Sequence, residues 1–347
     1  MKIAVTGLNN IDSPGPGVPV IRGIKDSNNF EGEIIGLIYD SLEPGAYMEN
    51  VAIRSYQIPY PSGGLDVLFE RIKAINEKEK IDVIIPTLDA ELYGFVKLSP
   101  RLESLGIKTF LPSQDQLNVR AKDKLFDFCE ANGIKTPKNI LANSISDLQK
   151  IPSEIKYPAA IKGIFYDAYI VNNFDEAVAA FEKMQYKWGL PIIVQEFVKG
   201  EEYNVAALGD GSGKTIGAVP MKKLYITDKG KGWAGVTIDD SVLINLSKKI
   251  IERLKWKSGA ELEFVKVKDS NEYYLLEINP RFPAWVYLAV AAGQNLPYAL
   301  LKLANGEKVE SFDEYEVGKI FIRYSWDLIT DIKRFEEISV KGELSHG

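Results

Sequence analysis

The sequence predicts a mixed fold, in which an α/β first part is followed by an α+β part. In the first third of the chain, short apolar strand patterns alternate with amphipathic helix patterns. This alternation is typical of a parallel, doubly wound sheet, which binds ligands at the carboxyl ends of its strands. In the rest of the chain, strand patterns follow one another across turns such as Asp210–Lys214, which is typical of antiparallel hairpins.

The first part contains three strand patterns and two helix patterns. The helix pattern of Gly64–Glu79 has its apolar residues on one side, and Ile81–Ile85 reads as a strand that is buried on both faces. The remaining predicted elements are strands over Lys2–Thr6 and Glu33–Tyr39 and a short helix near Val20–Lys25.

The second part begins after a boundary near Leu111–Ser113 and alternates single helices with strand pairs. Its predicted helices are Gln114–Asn132, Asp175–Met184, Ser241–Leu254 and a last one from about Phe282 to Ala292. Its predicted strands are Pro158–Gly163, Ile192–Phe197, Tyr203–Leu208, Glu261–Val267 and Tyr273–Ile278. In the tail, Ile320–Trp326 is predicted to pair as a strand with the core or to contribute to a dimer interface.

Composition and charge exclude several classes of function. The chain has 347 residues, which suits two or three domains, and a formal net charge of −6, which argues against a general nucleic-acid binder. The longest apolar run, Ala284–Ala292, is too short to span a bilayer, and the N-terminus enters a strand without a signal peptide. We therefore expect a cytoplasmic protein without a membrane or nucleic-acid partner.

The chain has one cysteine and one histidine, which excludes an internal disulfide framework and any metal site built from several cysteines. Cys129 is the only cysteine, and it shares an apolar helical face with Leu125 and Phe128, so we expect a buried small side chain rather than a nucleophile. His346 is the only histidine and lies next to the end of the chain. A catalytic mechanism therefore cannot depend on a histidine base or a histidine–zinc site.

A pair of acidic strands predicts a metal site. Residues alternate between the faces of a strand, so Glu277 and Asn279 point to the same side, and Glu263 on the neighbouring strand can supply a second carboxylate. Two carboxylates this close repel each other unless a cation lies between them. Together with an amide oxygen they form an all-oxygen set suited to Mg²⁺ that bridges phosphates.

The segment Leu275-Leu-Glu-Ile-Asn-Pro-Arg281, together with Glu263 on the preceding strand, resembles the ATP-grasp superfamily. The resemblance is closest to the carbamoyl-phosphate-synthetase-like and biotin-carboxylase-like branch. The resemblance covers roughly residues 1–305. It implies that Glu263, Glu277 and Asn279 hold Mg²⁺, with Mn²⁺ as an alternative, and that Arg281 contacts the substrate or the transferring phosphate. Homodimers are common in the family.

The resemblance also implies an ATP site. Lys124 and Lys162 match the two phosphate-binding basic residues of the family. The segment Gln195-Glu-Phe-Val198 resembles the hinge over which adenine lies, so Gln195, Glu196, Phe197 and Val198 are candidate nucleotide contacts. Glu202 is the candidate for the ribose hydroxyls.

The resemblance implies the following domain organisation. Residues 1–112 correspond to a Rossmann-like pre-ATP-grasp domain, 113–195 to the small ATP-grasp lobe with its lid, 196–310 to the large lobe with the metal site, and 311–347 to a C-terminal extension. The segment Gly163–Tyr169 departs from the family, whose phosphate-covering loop is usually rich in glycine and serine.

Three further segments are predicted to face the acceptor substrate or to shape its pocket. Lys223, Lys229 and Lys231 are candidates for holding a carboxylate or closing the site, although this basic segment also fits a solvated surface loop. Thr87, Asp89 and Glu91 follow a buried strand, and their acidity suits an ammonium group; Asp89 alone equally fits a helix cap. Phe282–Trp285 is predicted to shape an apolar substrate pocket.

The sequence therefore predicts a carbon–nitrogen ligase that consumes ATP and acts through an acyl phosphate. Its partners would be a small carboxylate and an amine, both amino-acid-like or peptide-like. A bicarbonate-activating enzyme of the carboxylase or carbamoyl phosphate type is one alternative. A non-catalytic ATP-binding module is another, motivated by the glycine-poor loop. A dehydrogenase is disfavoured, because Asn9–Pro19 lacks a dinucleotide fingerprint.

Overall fold

The computed structural model of the chain describes residues 1–9, 14–163, 168–227, 232–268 and 270–346, except for the side chains of Lys122 and Asp123. The chain divides into two compact units. The larger unit contains Met1–Leu117, Asn204–Leu262 and Asn279–Gly347, and the smaller contains Asn118–Tyr203 and Glu263–Ile278. Of the four boundaries, the one after Leu117 falls inside a helix and the other three fall inside strands.

The strands of the described residues are β1 Lys2–Val5, β2 Glu33–Ile38, β3 Arg54–Gln57, β4 Val83–Ile85, β5 Asn139–Ala142, β6 Ala159–Lys162, β7 Ala168–Val171, β8 Ile192–Glu196, β9 Gly200–Asp210, β10 Thr215–Ile226, β11 Gly232–Thr237, β12 Lys257–Val267, β13 Tyr273–Asn279, β14 Ile320–Ile322 and β15 Glu343–Ser345. The α-helices are α1 Gly17–Lys25, α2 Leu65–Glu79, α3 Asp89–Ser104, α4 Gln114–Val119, α5 Lys122–Ala131, α6 Ile151–Glu154, α7 Phe174–Trp188, α8 Ser241–Leu254, α9 Tyr287–Ala291, α10 Leu296–Ala304 and α11 Ile332–Glu336. No helix among these is both long and apolar enough to cross a bilayer.

The first part of the chain forms a mostly parallel sheet in the order β15-β3-β2-β1-β4. β1, β2, β3 and β4 run parallel to one another, and β15 from the C-terminal part of the chain pairs antiparallel with β3. Apolar residues of α2 and α3, such as Leu68, Ile72 and Phe95, are buried against one face. The carboxyl end of β4 leads directly into the segment that contains Thr87 and Asp89.

The second part contains two further sheets. The six-stranded sheet has the strand order β13-β12-β9-β10-β11-β14. The antiparallel sheet in the smaller unit has the order β5-β8-β6-β7. β14 pairs with β11, with Ile322 opposite Ala234. This pairing confirms the prediction that the Ile320–Trp326 segment pairs with the core, over its first three residues.

Two predicted helices differ from the structure. The predicted helix Gln114–Asn132 is interrupted, because Ala121 has an extended backbone (φ −59°, ψ 135°) that separates α4 from α5. The predicted helix from Phe282 begins only at Tyr287. Phe282 lies over Gly259, where an added Cβ would come within 2.7 Å of the phenyl ring, so this residue packs into the core before the helix starts.

A buried carboxylate joins β1, β3 and α2. Glu79 is 3% exposed and accepts hydrogen bonds from Arg54 Nε (2.6 Å), Tyr56 Oη (2.5 Å) and Lys2 Nζ (2.9 Å). Burial alone would raise the pKa of Glu79, but the hydrogen bonds from Arg54, Tyr56 and Lys2 outweigh it and lower the pKa to about 2.

We expect Glu79→Gln to lower the free energy of unfolding at neutral pH by about 2 kcal/mol, because it removes the charge that Arg54 and Lys2 pair with. The pKa of Glu79 is lower in the folded than in the unfolded chain. Its contribution to the free energy of unfolding is therefore complete at pH values above the unfolded pKa of about 4.3. The contribution disappears as the pH falls through about 2.

Urea denaturation of the wild type and Glu79→Gln across this pH range measures the effect, with Glu77→Gln on the exposed side of α2 as the matched control. The stability difference should shrink as the solution is acidified. A difference that is the same at the acidic and neutral ends would contradict this assignment.

Candidate active site

The centre of the site in the larger unit is the carboxylate of Glu261 on β12, which is 6% exposed. Its Oε1 accepts hydrogen bonds from Asn204 Nδ2 (2.7 Å) and Trp285 Nε1 (2.8 Å). Its Oε2 accepts from Asn279 Nδ2 (3.2 Å) and Arg281 NH1 (3.1 Å). A buried carboxylate is costly unless it is hydrogen-bonded and paired, and here both conditions are met.

Glu261 is absent from the site residues that the sequence predicts. It precedes Glu263 by two positions on the same strand, so strand alternation directs both side chains to one face. An acidic residue between the apolar Ala260 and Leu262 was the signal that could have identified it.

Arg281 follows β13 and is held by two carboxylates. Its Nε donates to Asp89 Oδ2 (2.8 Å) and its NH1 to Glu261 Oε2, and 19% of its side chain is exposed. Burial would lower the pKa of Arg281, but the charges of Asp89 and Glu261 raise it above the ordinary arginine value. The structure therefore joins Arg281 to Asp89, two residues that the sequence predicts for the substrate side.

Glu91 has a different role from the one that the sequence suggests. It is 0% exposed and accepts hydrogen bonds from the backbone N–H groups of Thr87 (2.7 Å) and Leu88 (2.8 Å) and from the hydroxyls of Thr6 and Tyr39. Burial raises the pKa of this carboxyl to about 7 against these hydrogen bonds. Glu91 caps α3 from the interior, so the expectation that it binds a substrate ammonium group is wrong.

The predicted metal ligands lie on β12 and β13. Glu263 is partly buried and Glu277 is exposed, and both belong to the smaller unit; Asn279 ends β13 in the larger unit and is 6% exposed. Among the described residues, no group of three or more His, Cys, Asp or Glu side chains is arranged to hold a metal. The predicted set contains only two carboxylates, with an amide as its third member, so its coordination stays a prediction.

The donor set nevertheless fits Mg²⁺ chemically. Because the amide nitrogen of Asn279 donates to Glu261, the amide oxygen is directed to the opposite side of the side chain. An amide oxygen and the carboxylate oxygens of Glu263 and Glu277 are ligands that Mg²⁺ accepts.

On the predicted nucleotide side, the structure brings two residues together in the smaller unit. Lys162 Nζ at the end of β6 donates to Gln195 Oε1 on β8 at 2.6 Å, and Gln195 is 4% exposed. Phe197 and Val198 form an irregular connection between β8 and β9, and Phe197 is 38% exposed. An irregular segment with an exposed aromatic ring is compatible with a hinge that offers backbone groups to a base.

The other predicted nucleotide contacts are Glu196, Glu202 and Lys124. Glu196 is occupied locally, because its Oε2 accepts a hydrogen bond from the backbone N–H of Lys138 (3.1 Å). Glu202 is partly buried on β9, and Lys124 is exposed on α5. Their nucleotide roles stay predictions.

The substrate-side lysines are only partly described. Lys223 lies on β10 opposite Gly235 of β11 and is partly buried. Lys229 and Lys231 lie outside the described residues, as do residues 164–167 of the predicted phosphate-covering loop. Phe282 and Trp285 are 4% and 7% exposed in the core, and the expectation that this segment shapes an apolar substrate pocket stays a prediction.

A second arginine near Glu261 is also absent from the predicted site. Arg323 follows β14, its backbone N–H donates to Trp233 O (2.9 Å), and its side chain is partly buried. Burial lowers the pKa of Arg323, and the charge of Glu261 opposes this. The strand Ile320-Phe-Ile-Arg323 alternates, so the arginine shares its face with Phe321 of the core.

The single cysteine and histidine behave as expected. Cys129 is buried, and burial raises the pKa of its thiol to about 12, which leaves little thiolate for a nucleophile. The ring nitrogens of His346 lie 2.8 Å from Arg334 NH2 and 2.9 Å from Ala46 O, and burial lowers the pKa of His346. This histidine fastens the end of the chain beside β3.

The chain is similar to known proteins in sequence and in fold. The family described as "ATP-grasp in the biosynthetic pathway with Ter operon" matches residues 190–322. The D-alanine–D-alanine ligase of Rickettsia felis is 28% identical over 163 residues, which cover 43% of this chain and 49% of the ligase. The carbamoyl phosphate synthase large chain, N-terminal section, of Methanopyrus kandleri is 22% identical over 287 residues, which cover 75% of this chain and 50% of that protein.

Among solved structures, the biotin carboxylase–β,γ-ATP complex from Campylobacter jejuni has a TM-score of 0.70 at 17% identity, over 91% of this chain and 73% of that chain. The fold is therefore that of the ATP-grasp proteins. The chain is thus similar to ATP-grasp proteins over residues 190–322, and its other relatives include a carbamoyl phosphate synthase. It spans about half the length of the curated relatives it matches.

Proposed function

We propose that the protein is an ATP- and Mg²⁺-dependent carboxylate–amine ligase that acts through an acyl phosphate. The observation that carries this proposal is the buried cluster of Glu261, Asn279 and Arg281, which directly follows Glu277 on β13. It holds the amide of Asn279 and the guanidinium of Arg281 in fixed positions on one buried carboxylate. Such preorganised polar groups are what phosphoryl transfer requires.

In this proposal the site positions charge and performs no histidine chemistry. Glu263, Glu277 and Asn279 would hold Mg²⁺, which would supply positive charge to neutralise the phosphates. Lys162 and Lys124 neutralise the remaining phosphate charge, and Phe197 and Val198 contact adenine. Arg281, held by Asp89 and Glu261, orients the carboxylate or the transferring phosphoryl group.

The reaction proceeds in two steps. A carboxylate oxygen attacks the γ-phosphorus of ATP, the bond to the β-phosphate oxygen breaks, and ADP leaves. The amine nitrogen then attacks the acyl carbon, the bond to the phosphate oxygen breaks, and inorganic phosphate leaves as the nitrogen loses a proton. Both steps depend mainly on alignment and charge neutralisation.

The substrates that we propose are amino-acid-like or peptide-like molecules. The similarity to a D-alanine–D-alanine ligase supports this class. Arg281 and Arg323 are cations near Glu261 that can pair with a substrate carboxylate. Asp89, which contacts Arg281, is an anion that can pair with a substrate ammonium group. Asp89 is 28% exposed at its side chain and so stays within reach of a ligand.

Bicarbonate activation is the second candidate. The match to a carbamoyl phosphate synthase extends over 75% of this chain, and the solved structure with a TM-score of 0.70 is a biotin carboxylase. The same two arginines would then hold the smaller carboxylate.

We also propose a domain assignment. The parallel order β3-β2-β1-β4 supports a Rossmann-like pre-ATP-grasp domain over residues 1–112. The sheet β5-β8-β6-β7 supports a small ATP-grasp lobe within 113–195, and the sheet that joins β12 and β13 to β9, β10 and β11 supports a large lobe within 196–310. Residues 311–347 form the C-terminal extension.

ADP and phosphate release from ATP and Mg²⁺, measured against a panel of amino acids, short peptides and bicarbonate, tests the proposal. We expect ADP release that depends on one carboxylate class and increases further when its amine partner is added. A bicarbonate response alone would select the second candidate. ATP binding without ADP release for any panel member would favour a non-catalytic ATP-binding module.

A further inference from the structure

The two oxygens of the Glu261 carboxylate have matched surroundings. Each oxygen accepts one hydrogen bond from a group that can only donate. For Oε1 this group is the indole of Trp285, and for Oε2 it is the guanidinium of Arg281. Each accepts a second one from a side-chain amide, that of Asn204 or Asn279, which can exchange its nitrogen and oxygen by a half-turn. The negative charge of Glu261 therefore favours the orientation in which both amides present their nitrogen to it.

We propose that Glu261 is a positioning residue that keeps the amide oxygen of Asn279 turned toward the metal. This inference rests on the proposed function, in which Asn279 is a metal ligand. With Nδ2 bonded to Glu261 at 3.2 Å, a half-turn of the amide would bring its oxygen against the carboxylate oxygen. Two acceptors repel each other at that distance, so the turned orientation is suppressed while Glu261 is charged.

Asn204 shows that the cluster is organised around this carboxylate. Asn204 is 2% exposed, its Nδ2 donates to Glu261, and its buried Oδ1 has no hydrogen-bond partner among the described residues. An amide with an unsatisfied oxygen keeps that orientation only because its nitrogen has a strong acceptor. Glu261 thus controls the orientation of Asn204 directly, and the same control over Asn279 follows from the equivalent contact.

Glutamine cannot replace Glu261 in this arrangement. A glutamine carries one oxygen and one NH₂ group, so its NH₂ must face either Trp285 or Arg281, and neither of them can accept a hydrogen bond. When the NH₂ group faces Trp285, Asn279 donates only to a neutral carbonyl oxygen, which holds the amide less strongly than a carboxylate does. When the NH₂ group faces Arg281, it also faces Asn279, whose amide is then expected to turn and present its oxygen to the glutamine. The nitrogen of Asn279 would be left on the metal side.

An aspartate at position 279 should remove this dependence. A carboxylate presents oxygen atoms in both directions, so no half-turn can take the ligand atom away from the metal. In Glu261→Gln/Asn279→Asp, the glutamine NH₂ can donate to one oxygen of the aspartate while the other remains available to the metal. The double variant keeps the same number of charges as the wild type and exchanges their positions.

Binding of Mn²⁺ in the presence of a non-hydrolysable ATP analogue, followed by electron paramagnetic resonance, tests the inference without catalytic turnover. We expect Glu261→Gln to raise the dissociation constant about tenfold, as for other residues that orient metal ligands. The double variant should return to within about threefold of the wild type. Glu252→Gln, an exposed position on α8, serves as the matched control and should have no effect.

The comparison also works if Glu261→Gln does not fold. In the Asn279→Asp background, adding Glu261→Gln should leave the Mn²⁺ dissociation constant unchanged or lower it, which completes a double-mutant cycle. Mn²⁺ binding by a folded Glu261→Gln that equals the wild type would overturn the positioning role. So would a double variant that binds no better than the single one. Absence of nucleotide-dependent Mn²⁺ binding by the wild type would instead overturn the proposed function.

Discussion

Replacement of Glu277 by Gln is expected to reduce substrate-dependent ADP formation about 100-fold or more, the largest activity loss that we expect for a single substitution. The change is nearly isosteric but removes one of the two carboxylates that would hold Mg²⁺. Glu277 is exposed at the end of β13, so its loss should leave the free energy of unfolding within about 0.5 kcal/mol of the wild type. Turnover and stability are therefore expected to separate.

Steady-state ADP release and urea denaturation, measured on the same preparations, check this separation. Glu252→Gln provides a matched substitution at an exposed glutamate of α8 and should keep both properties. If Glu277→Gln retained more than about half of the wild-type turnover, Glu277 would not be a metal ligand.

Arg281→Met is expected to produce the largest loss of stability, about 3 kcal/mol in the free energy of unfolding. Arg281 is the cation that Asp89 and Glu261 share, and its loss leaves two nearby carboxylates without a common counter-charge. Arg281→Lys keeps the charge, but an ammonium group cannot reproduce the separate Nε and NH1 contacts to the two acids. We expect it to lie between the wild type and Arg281→Met.

Chemical denaturation at neutral pH measures these differences. Adding Asp89→Asn to Arg281→Met should recover part of the lost stability, because it removes one of the unpaired charges. A folded Arg281→Met with wild-type stability would show that the Asp89–Arg281–Glu261 contacts contribute little to the fold.

The sequence predicts elements well where local signals agree. The predicted helix Ser241–Leu254 coincides with α8, which Asp240 caps by accepting a hydrogen bond from Leu243 N (2.9 Å). α3 is absent from the predicted elements: its acidic first turn is typical of a helix start, but the internal Pro100 interrupts the helix pattern. β3 is also absent from them: its four residues have no clear alternation, and they are strand only because β2 and β15 lie on either side.

The candidate site shows the same division between local and distant information. Strand alternation is enough to place Glu277 and Asn279 on one face of β13. The partners of Glu261 come from separate parts of the sequence, and Asp89 and Arg281 are 192 residues apart, so no local pattern could predict their pairing. The prediction for Glu91 failed for a related reason. An acidic residue at a helix start is usually exposed, and its burial depends on contacts with Thr6 and Tyr39, which are distant in sequence.

Oxygen transfer from the carboxylate substrate to phosphate tests the acyl-phosphate mechanism most directly. Once the panel has identified the carboxylate, it can be labelled with ¹⁸O and the inorganic phosphate analysed by mass spectrometry. An acyl phosphate requires a carboxylate oxygen to leave with the phosphate, so we predict one ¹⁸O atom in each phosphate released during product formation. Unlabelled phosphate accompanying product would contradict the acyl-phosphate mechanism.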